Sequence, residues 1–203
     1  IKECVEKAKS NNMLAYLYDE DRWPSGTAGG YVTAESDEYR KKRLRITAVP
    51  YSDKKAEHSP SLDYGDSNNR TEEGTLLTCF DIVLDENGCL KSYREVGETD
   101  PVEGTRWYAY LELGEKSAWF NNQSYIDTLS KPAMDRFIDI TYNAYLKTCG
   151  EDFGKVVPSI FTDEPQVSFK ERLEYSTDLK DATIPWTTDF EKTYKETYGE
   201  DII

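Results

Sequence analysis

Two acidic clusters stand out by what precedes them. The apolar run MLAYLY (13–18) leads into Asp19-Glu20-Asp21, and the run in KVVPSIFTDEP (155–165) leads into Asp163-Glu164. Apolar runs of this length suit buried strands. In a β/α architecture, side chains at the C-terminal ends of parallel strands collect at one mouth. Adjacent strands lie about 4.8 Å apart. Carboxyl groups at neighbouring strand ends then fall within the roughly 5–10 Å that glycosidic cleavage requires between an acid and a nucleophile or base. The competing reading is solvated loop charge, since Asp and Glu are common throughout this chain.

Two further stretches bear on the same chemistry. Trp23 sits beside Pro24 and Gly26 in DEDRWPSGTAGG (19–30). A tryptophan in a glycine-rich loop next to carboxylates suits stacking on a sugar face. It equally suits a plug that fixes the loop to its own domain. Gly26, Gly29 and Gly30 make no phosphate cradle, because the lysine of a P-loop is missing. In WFNNQSYID (119–127), Trp119, Tyr125 and Asp127 precede a helix, where polar side chains would bind sugar hydroxyls or simply cap and pack.

Composition removes other chemistries. Across 203 residues there are 25 Lys plus Arg, 39 Asp plus Glu and a net charge of −14. A nucleic-acid binder needs a basic face, and so does docking on an anionic membrane. No apolar window reaches the ~18–20 residues of a membrane span. The single histidine, His58, excludes a multi-histidine metal site and leaves a Ser-His-Asp triad one candidate in a polar stretch. Cys4, Cys79, Cys89 and Cys149 form no C-x-x-C pair. Cys79 and Cys89 flank a hairpin turn and could face each other. Reduced thiols are the favoured reading, because nothing marks the chain as secreted, which slightly favours the cytoplasm. The sequons at Asn69 and Asn122 carry little information. Fifteen Tyr, four Trp and seven Phe argue against disorder.

The elements that must position these residues follow from periodicity. Residues 2–12 read as an amphipathic helix with Val5 and Ala8 on one face. Helix, strand and charged loop in succession form one step of a β/α chain. From 34 to 116 the chain reads as a β-rich insertion: a strand at 44–51, a Ser/Asp/Asn-rich loop, a hairpin over 75–96 turning at Asn87-Gly88, and a third strand at 105–113. A helix follows, capped by Ser130 with Pro132 in its first turn, running past Tyr145 and closed by Gly150. Residues 166–183 read as polar loop, and those after Pro185 as a further helix. The expected division is 1–33, 34–116 and 117–203.

YLYDEDRWPSGTAGG (16–30) and YIDTLSKPAMDRFIDITYNAYLKTCGEDFGKVVPSIFTDEP (125–165) resemble bacterial glycoside-hydrolase-like proteins. The similarity is nearest to the family 106 α-L-rhamnosidase type and covers about 1–33 and 117–165. It implies an α/β fold, part of a TIM-type (β/α) barrel carrying the β-rich insertion. It also implies a carbohydrate substrate, with Glu164 as general acid beside Asp163. Asp19, Glu20 and Arg22 would bind or support sugar hydroxyls, joined by Trp23, Trp119, Tyr125 and Asp127. Barrel hydrolases of the large clan carry Asn-Glu where this chain has Asp163-Glu164. Some relatives use calcium, although no compact oxygen-rich loop marks a site here, and no cofactor is expected otherwise.

A full barrel needs ~250 residues and eight strands. The opening without Met reads as a cut through a longer protein, in which the second carboxylate lies beyond Ile203. The segment alone is then expected to be inactive, and a homo-oligomer could cover its open sheet edges. The alternative function is a non-catalytic carbohydrate-binding or scaffold module that stacks sugars on Trp23, Trp107, Trp119 and Tyr125.

Overall fold

A computed structural model describes residues 1–51, 70–71 and 73–202. His58, Asn69 and most of the expected Ser/Asp/Asn-rich loop lie outside the described residues. The chain divides into two compact units, one of residues 1–40 and 115–167, the other of 41–114 and 168–203.

In the first unit, α1 (Lys2–Ser10) buries Val5 and Ala8, as its pattern requires. β1 (Leu17–Tyr18) pairs in parallel with β6 (Ile160–Phe161), matching Leu17 to Ile160 and Tyr18 to Phe161. The ladder continues outside the strands, with Ala15 N–H donating to Val156 O (2.9 Å) and Asp19 N–H to Phe161 O (3.2 Å). Short helix α2 (Tyr31–Glu35) follows the acidic loop. One core joins Ala28, Val32, Phe120, Tyr125, Ile126, Ala133 and Phe137, and a second joins Val5, Leu17, Cys149 and Val157.

The helix expected from Ser130 is two helices, α3 (Lys131–Ile140) and α4 (Tyr142–Cys149). Ser130 Oγ caps the first, accepting from Ala133 N–H at 3.4 Å. Thr141 separates them, with its hydroxyl donating to Phe137 O at 2.6 Å. This back-bonding to the i−4 carbonyl bends helices.

The second unit is a five-stranded antiparallel sheet in the order β4-β3-β5-β2-β7. Its strands are β2 (Lys42–Thr47), β3 (Thr75–Leu84), β4 (Leu90–Val96), β5 (Thr105–Leu113) and β7 (Ala182–Trp186). α5 (Phe190–Tyr198) follows them. The expected hairpin forms, its turn held by Asp85 Oδ1, which accepts from the amides of Asn87 (2.8 Å) and Cys89 (2.9 Å). Gly88 takes φ +76° there, a conformation glycine adopts without penalty. Cys79 lies opposite Val96, so it does not face Cys89, and all four thiols are free.

Alternation along the strands gives this sheet two unlike faces. Leu44, Phe80, Ala109 and Trp186 pack on one, with Ile46, Ile184 and Phe190 beside them. On the other, Glu112 is fully buried and pairs with Arg43 and with Arg45 (2.6 Å). Arg45 also meets Asp181 at 2.9 Å, and Arg70 meets Asp181 at 3.2 Å. Burial opposes ionisation of Glu112 and Asp181. For Glu112 the Arg45 and Arg43 guanidiniums prevail, for Asp181 the Thr47 hydroxyl with Arg70 and Arg45, and both pKa values lie below the ordinary carboxylate range.

Two expectations are corrected. The described residues form no part of a closed TIM-type barrel: they hold one two-stranded parallel pair and a separate antiparallel sheet. The apolar runs at 13–18 and 155–161 are long enough for barrel strands, but only two residues of each pair as strand. Met13, Leu14 and Tyr16 are exposed where a barrel would bury them. Residues 168–203, expected in a resumed β/α part, belong with the sheet: β7 pairs with β2 through Arg45↔Thr183 and its neighbours.

Candidate functional site

Asp163, Glu164, Asp19, Glu20, Arg22, Trp23, Trp119, Tyr125 and Asp127 all fall in the first unit, and Trp107 falls in the second. The loop leaving β1 folds around Glu20, which is buried. Its carboxylate accepts from the amides of Asp21 (3.0 Å), Gly26 (3.3 Å), Ala28 (2.7 Å) and Gly29 (2.7 Å). The Thr27 hydroxyl adds a fifth donor at 2.8 Å. Burial pushes the Glu20 pKa up from 4.5, while the amides of Gly29 and Asp21 and the Thr27 hydroxyl pull it back. Glu20 thus organises its own loop, and both of its oxygens are engaged by the protein.

Asp19, also buried, joins the strand ends to α4. Its Oδ1 accepts from Ser25 Oγ at 2.6 Å, and its Oδ2 from Tyr142 Oη (2.6 Å) and Thr162 Oγ1 (2.7 Å). Burial, then the bond to Asp19, raises the Tyr142 pKa. Ser25 in turn grips Asp163 twice: its N–H donates to Asp163 O (2.9 Å) and its Oγ accepts from Asp163 N–H (2.9 Å). The next residue, Glu164, is exposed and has φ +45°. Non-glycine residues occupy that region rarely and at a cost in strain. Trp23 Nε1–H donates to Glu164 Oε2 at 3.0 Å.

The other candidates brace this arrangement. Trp119 Nε1–H donates to Trp23 O at 2.6 Å. Arg22 donates to Trp119 O at 3.2 Å, with its guanidinium carbon 5.6 Å from the Trp119 ring centroid, within cation–π range. Tyr125 is buried; its hydroxyl donates to Ser25 O (2.6 Å) and accepts from Gln166 N–H (3.1 Å). Asp127 is buried too, and its Oδ1 accepts from Leu129 N–H at 3.1 Å in the turn entering α3. Tyr125 and Asp127 therefore support the loops, and Trp107, buried in the second unit, offers no stacking surface.

Beside this brace lies an open pocket of about 640 Å³, whose wall includes Asp19, Glu20, Asp21, Asn121, Gln123 and Tyr145. Glu164 and Trp23 are not in that wall. Sequence reasoning missed Ser25, Tyr142 and Thr162, because their roles depend on contacts across more than a hundred residues. Asn121 and Gln123 were within reach, since both lie in the polar WFNNQSYID stretch.

No group of three or more His, Cys, Asp and Glu side chains suited to a metal ion occurs among the described residues. Calcium takes six to eight oxygens, and Asp19 and Glu20 already bind protein donors, so these residues do not fit that ion. No helix among the described residues is long and apolar enough to cross a membrane. Compared with family models, curated proteins and solved structures, the chain matches none.

Proposed function

We propose that the chain is part of a protein that cleaves glycosidic bonds, with Glu164 as proton donor to the leaving oxygen. The observation that carries this reading is the backbone at Glu164. A solvent-facing carboxylate stands three residues beyond β6 in a left-handed conformation, with Ser25 clamping the preceding residue and Trp23 steering the carboxylate. Strain of this kind persists where the surroundings impose it and clusters at active sites. A general acid must be held toward its target within hydrogen-bond reach, and two side chains here fix where the Glu164 carboxyl points.

Glycoside cleavage uses a second carboxylate. Asp19 and Glu20 are engaged by protein donors, so neither fills that role, and negligible turnover is expected from these 203 residues alone. The test is made on the longest natural form of the protein, with aryl glycosides of several sugars as substrates. Glu164→Gln should lower kcat/KM by roughly 10²–10⁴-fold, the usual contribution of a positioned acid. An unchanged rate in that variant refutes the assignment.

A further inference from the structure

The chemistry of the pocket wall narrows what it can hold. Several wall groups are already committed: Asp19 and Glu20 to the donors described above, Thr141 Oγ1 to Phe137 O (2.6 Å) and Tyr145 Oη to Tyr18 O (2.6 Å). Asn121 Nδ2 donates to Gly29 O at 2.9 Å, which leaves its carbonyl oxygen as the end it can offer a ligand. The Asp21 side chain is 52 % exposed; its Oδ2 accepts from Asn121 Nδ2 at 3.4 Å and pairs with Arg22 Nε at 3.8 Å, and Arg22 lies outside the wall. Tyr31 is exposed, and Gln123 keeps a buried Oε1 without a hydrogen-bond partner among the described residues. A buried unmet acceptor costs free energy until a donor reaches it. No Lys, Arg or His contributes to the wall. Among the described residues the wall's charged groups are the carboxylates of Asp19, Glu20 and Asp21, and its exposed polar groups are the Asp21 carboxylate, the Asn121 side chain and the Tyr31 hydroxyl, which donates as well as accepts.

We infer that this pocket binds a non-anionic saccharide, neutral or amine-bearing, through the hydroxyl or ammonium donors of the sugar, and rejects uronate and sulfated sugars. The inference rests on the carbohydrate reading above and deepens it. Asp21 is the discriminating residue: it accepts from sugar donors and repels a sugar carboxylate. Two like charges about 4 Å apart in water disfavour binding roughly five- to tenfold, and more where water is excluded. The Glu164–Trp23 pair supplies no part of this selectivity, since neither residue lies in the wall.

The experiment measures binding of the 203-residue chain to a printed array of neutral, amine-bearing and uronate oligosaccharides, then repeats it with Asp21→Asn and Asp21→Lys. Circular dichroism verifies that both variants fold, as a half-exposed side chain allows. Neutral or amine-bearing oligosaccharides should bind at least about fivefold tighter than uronates of the same length. Asp21→Asn should narrow that ratio, and Asp21→Lys should reverse it. Uronates binding wild type as tightly as neutral sugars would overturn the inference while leaving the carbohydrate reading intact. An unchanged ratio in a folded Asp21→Lys variant would do the same. If no oligosaccharide of any class binds, the carbohydrate reading fails, and the selectivity fails with it.

Discussion

Replacing Glu20 with alanine tests the idea that one carboxylate builds the loop between β1 and α2. The change removes the acceptor of four backbone amides and one hydroxyl. Three of these bonds are short: Ala28 N–H (2.7 Å), Gly29 N–H (2.7 Å) and Thr27 Oγ1 (2.8 Å). A hydrogen bond to a charged group contributes about 1.5–3 kcal/mol, and a buried donor left without a partner loses a similar amount. Gly29 lines the open pocket, so water can replace the carboxylate there. Thr27 is buried outside that wall and has no such relief, and Ala28, although it reaches the wall, is 7 % exposed. We therefore expect Glu20→Ala to destabilise the loop by ~3–5 kcal/mol. Hydrogen exchange read by mass spectrometry at pH 7 resolves it locally. Protection of a peptide spanning 19–31 should fall by roughly a hundredfold or more, as 1.36 kcal/mol corresponds to a factor of ten. A peptide covering β5 serves as the control, because that strand belongs to the other unit. Glu20→Gln keeps one acceptor oxygen and should fall between wild type and alanine. Unchanged exchange of 19–31 in Glu20→Ala would refute the reasoning, since the amides would then be held by something other than this carboxylate.

Acid should weaken the second unit. Glu112 and Asp181 have folded pKa values below their ordinary 4.5 and 3.8. Their contribution is complete above the unfolded values and is lost as pH falls through the folded ones. Melting followed by circular dichroism should show Tm falling from pH 5 to pH 3, and Asp181→Asn should flatten that slope; an equal slope in the variant counts against the ion network. Gly26→Ala should cost about 1–3 kcal/mol in urea denaturation, because a Cβ there would stand 2.8 Å from Ile126 Cγ2 on a backbone at φ +140°. A variant as stable as wild type would mean the loop can shift away from Ile126.

What the sequence revealed was local. Val5 and Ala8, Ser130 with Pro132, and Asn87-Gly88 each carry their signal within a few residues, and α1, the start of α3 and the β3–β4 turn follow from them. Strand partners are another matter. MLAYLY and VVPSIF read as buried barrel strands because an apolar run reports its wish for burial but not what covers it. β7 was invisible for another reason: its short apolar stretch contains Pro185, which counts against a strand, and pairing with β2 and with Glu171 makes it one. The split at Thr141 arises from one hydroxyl choosing a carbonyl, which helical periodicity cannot register. The site was half legible. Its residues do gather in one unit, but Asp19 and Glu20 turn inward to serve hydroxyls and amides. That inversion depends on the backbone path of residues 25–29, which no side-chain pattern encodes.

The outermost strands of the antiparallel sheet bear on its behaviour in company. β7 carries Pro185, which has no amide hydrogen to offer a newcomer. β4 presents exposed Lys91, Arg94 and Glu95 at the opposite end. On β7, Thr183 already exchanges both backbone bonds with Glu171 and Pro185 offers a newcomer no donor, and a strand docking on β4 would have to dehydrate charges. This half of the chain is thus poorly suited to act as a template for fibrils, and crowding during synthesis should not lead it to copy itself strand by strand.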